Sequence, residues 1–261
     1  SMADMAAIEQ VEQCWDALGR VVPVEETVMP AVYVNSAAIL KAFCGEHGGL
    51  TCTSSNARKV IEWSWARREK ILFFPDEHLG RNTANKMGIP REQMIVWDPY
   101  MPRGGNSVEA IQRAKLILWK GHCSVHQMFQ PSHIDYVRKK HPEVKVIVHP
   151  ECHEDVVNKA DLVGSTEYII RTITAAPAGT TWAVGTELNL VNRLKHEQAD
   201  KKIFFLSSTV CQCATMYRID APHLCWALEN LADGHVVNRI VVPDDEKQLA
   251  KVALDRMMAL S

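Results

Sequence analysis

Short apolar runs recur along the chain, and they constrain its fold more than any other feature. Runs that are apolar on both faces are typical of parallel strands covered by helices on both sides. Amphipathic stretches with helix-capping residues separate them, among them SSNARKVIEWSWARRE and PSHIDYVRKKH. The runs are AVYV, KILFF, MIVW, LILW, KVIVH, TTWAV and KIFFL. This alternation predicts an α/β fold built on parallel sheets.

The chain also contains an internal repeat, which is visible at the ends of the predicted strands. The matched segments, in chain order, are AVYVNS with VIVHPE, LTCTSS with LVGST, FFPDEH with WAVGTE, and LWKGHC with FFLSSTVCQC. Their spacing agrees except before Cys123, where the Pro-Gly-rich stretch WDPYMPRGGNS accounts for an insertion of about 20 residues. Cys123 and Cys213 close the two copies, so a shared pseudosymmetry axis would bring their sulfurs together as a candidate metal cradle.

The repeat sets the predicted domain organisation. One α/β unit spans residues 1–123, a second spans 124–212, and a helical tail runs from 213 to 261. A helix in MADMAAIEQVEQCWDALG precedes the first strand. The tail contains one helix that stops at Gly234 and a second, amphipathic helix after it.

Composition and charge exclude several classes of protein. The chain has 261 residues, of which 47% are hydrophobic and 23% charged, as expected for a soluble globule with a substantial core. Its 29 basic and 31 acidic residues offer no long-range attraction for nucleic acid or an anionic membrane. No apolar run approaches the roughly 20 residues that span a bilayer, and no signal peptide is recognisable. We therefore expect a cytoplasmic protein without nucleic-acid or membrane partners.

Eight cysteines in a chain of this kind favour reduced thiols or metal ligands over disulfides. The strongest candidate is Cys123 in GHCSVH, where Cys123 and His126 lie in a predicted strand-to-helix turn. A helix N-terminus stabilises a thiolate, so Cys123 could be a nucleophile, a zinc ligand or an iron-sulfur ligand. Cys211-Gln212-Cys213 could be a zinc half-site or a redox pair, but a lone CxC falls short of the usual zinc spacing.

Polar residues follow the predicted strands at the sheet edge where α/β proteins bind ligands. His149-Pro150-Glu151 places an imidazole and a carboxylate at one strand end, which suits acid-base chemistry, although a capping glutamate beside a satisfied histidine explains the motif equally well. Ser165 and Thr166 precede a predicted helix and suit a phosphate or a carboxylate. The sequence has neither a Walker loop nor a GxGxxG motif, so neither fingerprint of nucleotide binding is present.

Taken together, the motifs resemble those of quinolinate synthase, an iron-sulfur enzyme of de novo NAD biosynthesis. They follow the family order from Ser1 to about Leu231. The matching segments are SMADM, YVNSAA, CTSSNA, FFPDEHLGRN, WKGHCSVHQMF, VHPEC, ADLVGSTEYII, AVGTELNLVNRL, CATMYRI and LCWALENL. The resemblance implies three pseudo-equivalent α/β units, of which two are complete here. It also implies that an N-terminal segment is missing. The tail, residues 213–261, would belong to that absent unit, which precedes the unit of residues 1–123 in the family.

The resemblance further implies roles for individual residues. Cys123 and Cys213 would hold a 4Fe-4S cluster together with a third cysteine, which is expected upstream of Ser1. In the family this cysteine precedes a small residue, a polar residue and Met, a pattern that Cys213 satisfies with Ala-Thr-Met and Cys211 does not. Glu151, His149 and Tyr33 would be catalytic. The implied substrate-binding residues are Tyr33, Asn35, Ser54, His126, His149, Glu151, Ser165 and Thr166.

The reaction that the resemblance implies condenses iminoaspartate with dihydroxyacetone phosphate to quinolinate, with loss of phosphate and two waters. A cluster with three cysteine ligands would leave one iron open as a Lewis acid. A partner enzyme that supplies iminoaspartate is implied as well. The residues alone leave two alternatives open: a non-catalytic α/β module that binds a small carboxylate or phosphate, and a zinc hydrolase that uses Cys123, His126 and His149.

Overall fold

The structure of the protein is a computed structural model that describes residues 2–260, and its framework is a set of parallel strands. The strands are β1 (Val28–Tyr33), β2 (Leu50–Cys52), β3 (Lys70–Phe74), β4 (Met94–Trp97), β5 (Leu116–Trp119), β6 (Lys145–Val148), β7 (Leu162–Val163), β8 (Thr181–Gly185) and β9 (Lys202–Phe205). They form a five-stranded sheet in the order β2-β1-β3-β5-β4 and a four-stranded sheet in the order β7-β6-β8-β9. The predicted α/β class with repeated parallel-sheet units is confirmed.

Helices lie between the strands and at both ends of the chain. They are α1 (Ile8–Gly19), α2 (Val24–Thr27), α3 (Ala38–Glu46), α4 (Ala57–Trp65), α5 (Glu77–Lys86), α6 (Val108–Arg113), α7 (Ser124–Gln127), α8 (Pro131–Lys140), α9 (Glu154–Lys159), α10 (Thr166–Ala175), α11 (Leu188–Glu197), α12 (Ala221–Ala232) and α13 (Asp244–Met258). Among residues 2–260, none of these helices combines the length and the apolar character that a membrane span requires.

The two sheets repeat one another strand for strand. β1 lies between β2 and β3, with β5 beyond β3; in the same way β6 lies between β7 and β8, with β9 beyond β8. β4 is the exception, because it pairs only with β5 at the edge of the first sheet. It comes directly before the Pro-Gly-rich stretch. The extra residues of the first copy therefore add an edge strand and the loop that follows it.

Each sheet is buried on both faces, which explains why its strands are continuous apolar runs. In the first sheet, alternate residues contribute to two separate core clusters: Val32 and Phe74 pack on the side of α1 and α3, whereas Ala31 and Phe73 pack on the side of α4 and α5. The second sheet is covered in the same way, by α8 and α9 on one face and by α10 and α11 on the other.

The last helix, α13, packs on the first unit although it follows the second sheet in the sequence. It contacts α3 and β2. The approach is so close that a Cβ atom at Gly45 would collide with the carbonyl oxygen of Leu249. The guanidinium of Arg256 also donates a hydrogen bond of 2.6 Å to the carbonyl oxygen of Gly49. The end of the chain is thus part of the first unit's core.

The helix α12, in contrast, contains no buried residue. Its exposed apolar side chains are Leu224, Trp226, Leu228 and Leu231. The assignment of residues 213–261 to a further unit stays a prediction. Ser1 and Ser261, which bound the predicted first unit and the tail, lie outside the described residues.

The N-terminal helix is shorter than the sequence pattern predicts. Met2–Asp4 forms a 3₁₀ turn, and α1 begins only at Ile8. The indole N–H of Trp119 donates a 2.9 Å hydrogen bond to the carbonyl oxygen of Met5, and Ala7 has extended backbone angles. This contact holds the segment before Ile8 against the strand β5 instead of allowing a continuous helix.

Candidate functional site

A cavity of about 540 Å³ lies beyond the carboxyl ends of strands from both sheets. Its walls come from Met2 and from the segments that follow β1, β5, β6, β7, β8 and β9. The structure brings most of the predicted site residues onto this cavity, namely Tyr33, Asn35, Cys123, His126, His149, Glu151, Thr166 and Cys213. Groups far apart in the sequence therefore share one space, as the strand-end argument predicts.

Two of the predicted substrate-binding residues line a neighbouring cavity instead. Ser54 and Ser165 belong to a space of about 640 Å³ at the N-termini of α4 and α10. The cationic side chains around it are Arg58, Lys59, Lys86 and Arg171. Ser165 also caps α10, because its hydroxyl oxygen accepts a hydrogen bond from the backbone N–H of Tyr168. The predicted hydroxyl pair is thus divided, with Thr166 on the first cavity and Ser165 on the second.

The centre of the first cavity is a buried pair formed by His126 and Glu151. The Nδ1 atom of His126 lies 3.0 Å from Oε2 of Glu151, and its Nε2 atom lies 3.2 Å from the hydroxyl oxygen of Thr186. His149 stacks on His126, with ring centroids 4.5 Å apart and planes inclined by 16°. The loop after β6 therefore contributes His149 and Glu151, whereas His126 comes from α7.

The members of this cluster differ in protonation state for identifiable reasons. Burial opposes a charge on His126, but the carboxylate of Glu151 outweighs it and raises the pKa of His126 to about 10. Burial also opposes the Glu151 carboxylate, yet His126 outweighs that effect and lowers the pKa of Glu151. For His149, burial and the neighbouring charge of His126 act together and lower its pKa to about 3. At neutral pH the cluster is an ion pair beside an uncharged imidazole.

The hydrogen bonds agree with an uncharged His149. Its Nδ1 atom accepts a bond of 3.3 Å from the backbone N–H of Glu151, so this nitrogen carries no proton. Tyr33 completes the cluster through a hydrogen bond from its phenol to Glu151. Burial, followed by the charge of Glu151, raises the pKa of the Tyr33 phenol, which is therefore a proton donor in this pair.

Asp76 lies behind the cluster and is fully buried. One of its carboxylate oxygens accepts a 2.6 Å hydrogen bond from the backbone N–H of Leu79 and so caps α5. The other has no hydrogen-bond partner among the described residues. Burial, and after it the charge of Glu151, raises the pKa of Asp76.

Sulfur donors reach the same cavity from two directions. Cys123 precedes α7, and its Sγ atom, one ring nitrogen of His126 and one carboxylate oxygen of Glu151 lie within 4.8 Å of one another. Cys213 lies beyond β9, where its Sγ atom is 3.1 Å from the hydroxyl of Thr215. Burial raises the pKa of the Cys213 thiol, but hydrogen bonds with Thr215 and the backbone N–H of Met216 outweigh burial and bring the pKa to about 7. The Cys213 thiolate is therefore well populated at neutral pH.

Two residues of the site were not found from the sequence. Thr186 bonds to His126, and Asn82 bonds to the loop that carries Glu151. Thr186 does belong to the matched segment WAVGTE, so the repeat marks its neighbourhood. Nothing in the sequence indicates a partner for Asn82.

Strand ends that converge on a buried cavity with an ion pair, a neutral imidazole and two thiols define an α/β protein with a candidate active site and a candidate metal centre. A family model described as "NadA: Quinolinate synthetase A protein" matches residues 1–259. The chain therefore belongs to the quinolinate synthase family.

Curated relatives agree with this assignment. The chain is 59% identical to the quinolinate synthase of Rhodopirellula baltica over 261 residues and 56% identical to that of Herpetosiphon aurantiacus over 263 residues. It is 58% identical to the quinolinate synthase of Acidobacterium capsulatum over 262 residues. Each match covers 100% of this chain but only 66%, 70% and 70% of the respective relatives. The chain thus spans about two thirds of the length of these enzymes.

Proposed function

We propose that the chain carries catalytic groups of a quinolinate synthase, which condenses iminoaspartate with dihydroxyacetone phosphate. The products would be quinolinate, one phosphate and two waters, and this balance needs no external oxidant. The observation that carries the proposal is that Tyr33, Glu151, Cys123 and Cys213 line a single cavity. These residues come from both sheet units, so the substrates would bind between the two units.

Glu151 is the proposed acid-base group. Because His126 keeps it ionised, its carboxylate can take a proton from a substrate carbon at neutral pH. The phenol of Tyr33, which is hydrogen-bonded to Glu151, is placed to pass a proton to a departing hydroxyl. Glu151 and Tyr33 would then move protons between carbon and oxygen without the need for bulk water.

The two histidines would act on substrate charge in different ways. His126 is a cation in a buried site, where it stabilises negative charge that develops on the substrate. The neutral ring of His149 keeps an N–H on Nε2 that can donate to a substrate oxygen.

The anionic groups of the substrates would be fixed by hydroxyl and amide side chains. Asn35 and Thr166 line the first cavity, and Ser54 and Ser165 line the second. The cations around the second cavity favour a phosphate or a carboxylate there.

The donor chemistry of the cavity fits a 4Fe-4S cluster. Iron-sulfur clusters require thiolates, and the hydrogen bonds at Cys213 favour that form. Cys123 and Cys213 would hold the cluster with a third cysteine, which is expected upstream of Ser1. When bound, such a cluster supplies an open, Lewis-acidic iron.

A zinc site is the second candidate, because Cys123, His126 and Glu151 form a compact donor set. Cysteine, histidine and glutamate are all ligands that zinc accepts. Both ring nitrogens of His126 already have hydrogen-bond partners, however, so zinc would have to displace Glu151 or Thr186 from one of them. This set also leaves Cys213 without a role, and we rank it second.

The acid-base proposal is tested by turnover after anaerobic reconstitution with iron and sulfide, in a version of the chain that has the full length of its relatives. Quinolinate formation is measured for Glu151→Gln and for the exposed control Glu197→Gln. We expect Glu151→Gln to keep the visible absorbance of the cluster and to lose at least about 100-fold in rate, because general acid-base groups contribute on this scale. Undiminished quinolinate formation would remove Glu151 from the mechanism.

The metal proposal is tested by composition and by paired cysteine variants. We expect iron and acid-labile sulfide in the reconstituted protein, loss of the visible absorbance in Cys213→Ser, and its retention in Cys211→Ser. The reverse pattern would move the ligand to Cys211. One zinc per chain without iron would favour the second candidate.

A further inference from the structure

The side chain of Asn82 connects α5 of the first unit to the loop that carries Glu151 in the second. Asn82 is only 2% exposed. Its Nδ2 atom donates one hydrogen bond of 2.8 Å to the carbonyl oxygen of Pro150 and another of 2.8 Å to that of Cys152. These are the carbonyls on either side of Glu151, so one amide group holds both flanks of this residue.

The second sheet holds the same loop from the opposite side. The backbone N–H of His149 donates to the carbonyl oxygen of Gly185 at 3.0 Å, and the Cys152 thiol donates to the same oxygen at 3.7 Å. The backbone N–H of Cys152 closes the turn by donating to the carbonyl oxygen of His149 at 3.1 Å. Hydrogen bonds to β8 therefore fix the loop to the second sheet, and Asn82 restrains it from the first unit.

That restraint matters because the cluster is assembled across the two units. Tyr33 and Cys123 belong to the first unit, at the end of β1 and just after β5, whereas Glu151 comes from the loop after β6. The distances from Glu151 to Tyr33 and to Cys123 depend on how this loop is placed against the first unit. A displacement of about 1 Å in such a group can cost on the order of 100-fold in rate.

We propose that Asn82 is a positioning residue that holds Glu151 in register with Tyr33 and Cys123. Both N–H donors of its side chain are committed to the two loop carbonyls, so Asn82 acts through the loop. The catalytic part of this inference rests on the proposed role of Glu151. The structural part, a clamp on residues 149–153, stands independently of it.

The clamp is tested first by amide hydrogen exchange of the chain itself. Asn82→Ala is compared with Asn85→Ala, which lies on the same helix and contacts Glu154 outside the clamped turn at 3.4 Å. We expect the amides of Glu151 and Cys152 to exchange about 10-fold faster in Asn82→Ala, because two buried carbonyls lose their donor. Unchanged exchange in this segment would overturn the inference.

The positioning role is then tested in the reconstituted enzyme. We expect Asn82→Ala to lower kcat by about 10- to 100-fold, the range seen for groups that orient a functional residue, while KM and iron content stay unchanged. In the Glu151→Gln background, Asn82→Ala should cause no further loss. An equal loss in both backgrounds, or a kcat like that of Asn85→Ala, would overturn the role.

A second substitution guards against disturbed packing. Asn82→Asp keeps the volume of the side chain and removes the amide donors, so it should reproduce the loss of kcat and the faster exchange if the hydrogen bonds are the cause. Normal kcat and normal exchange in Asn82→Asp would refute the clamp. If the unmodified enzyme forms no quinolinate, the proposed function fails, and the exchange experiment still decides on the clamp.

Discussion

Two stacked histidines, His126 and His149, hold different charges because they meet the same carboxylate at different distances. The Nδ1 atom of His126 lies 3.0 Å from Glu151, whereas that of His149 lies 3.8 Å from it. The attraction between His126 and the Glu151 carboxylate outweighs the effect of burial, so the pKa of His126 is raised. The other ring then meets the charge of His126 as well as burial, and both lower its pKa. Glu151 thus decides the charge of His126, whereas burial and the charge of His126 decide that of His149.

The low pKa of His149 predicts a loss of stability in acid. Between about 3 and about 6.5 the unfolded state binds a proton at this position and the folded state does not, so the free energy of unfolding falls as pH decreases through this window. We expect the free energy of unfolding to depend less steeply on pH in His149→Gln. The decrease in slope should correspond to at most about one bound proton. Urea midpoints between pH 7 and pH 4 measure it. The exposed control His196→Gln should follow the unmodified protein, and a slope unaltered by His149→Gln would contradict the assignment.

Cys213 should react as a thiolate near neutral pH. The expected alkylation rate rises with pH around a midpoint of about 7, because the thiolate is the nucleophilic form. Thr215→Val removes the nearest hydrogen-bonding group and should move the midpoint upward. Thr209→Val, in the same segment, serves as the control. Iodoacetamide labelling followed by peptide mass spectrometry gives the alkylation rate at Cys213. An unshifted midpoint in Thr215→Val would show that Thr215 does not lower the pKa of this thiol.

The sequence predicts several site residues that follow strands, but it does not single out Thr186, which follows β8, or Asn82, which lies within α5. Cys123, His149 and Glu151 stand at strand ends, where the parallel-sheet pattern alone directs attention. Thr186 and Asn82 are ordinary polar residues in the sequence. Their partners are 60 and 68 positions away, and only the folded chain brings them together.

At the scale of elements, the strands were easier to predict than the helices. Every predicted apolar run forms a strand, since burial on both faces leaves a local signal. The helix α5 has a weak signal, because it contains Gly80 and several polar residues. A Cβ atom at Gly80 would lie 2.6 Å from Leu118 and 2.8 Å from Phe73, so close packing on the sheet requires the residue that weakens the helical pattern.

The same close packing makes Gly45 sensitive to substitution. In Gly45→Ala the added methyl group would collide with the backbone of α13 at Leu249, and we expect a loss of about 1–3 kcal/mol in the free energy of unfolding. Gly19→Ala is the control, since its Cβ atom would meet Val24 at an ordinary 3.4 Å. Urea denaturation measures both. Equal stability of the two variants would mean that α13 does not pack on α3.

At the scale of the whole molecule, the two sheets are tied together more than their sequence order suggests. α13 returns from the end of the chain to the first unit. In the other direction, Lys86 donates to the carbonyl oxygen of Val163 and Arg91 pairs with Glu154, both across the boundary between the units. These ties, together with Asn82, predict that the units unfold as one.

Cooperative unfolding can be tested through α13. Met257 is buried and Met258 is exposed, so Met257→Ala should cost about 2–5 kcal/mol and Met258→Ala much less. If the units unfold together, the slowest-exchanging amides of β8 lose as much protection in Met257→Ala as those of β3 do. Full protection of β8 in that variant would show two independent folding units.

The added strand β4 has a consequence for how such a duplicated architecture can diversify. It sits at the outer rim and pairs only with β5, so none of the four corresponding strands changes neighbours. An insertion at this edge lengthens one copy, while Cys123, which follows β5, stays at the position equivalent to that of Cys213. Added strands at this edge change the outer shape of the sheet without moving the residues that line the cavity. New sequence is therefore best inserted beside β4.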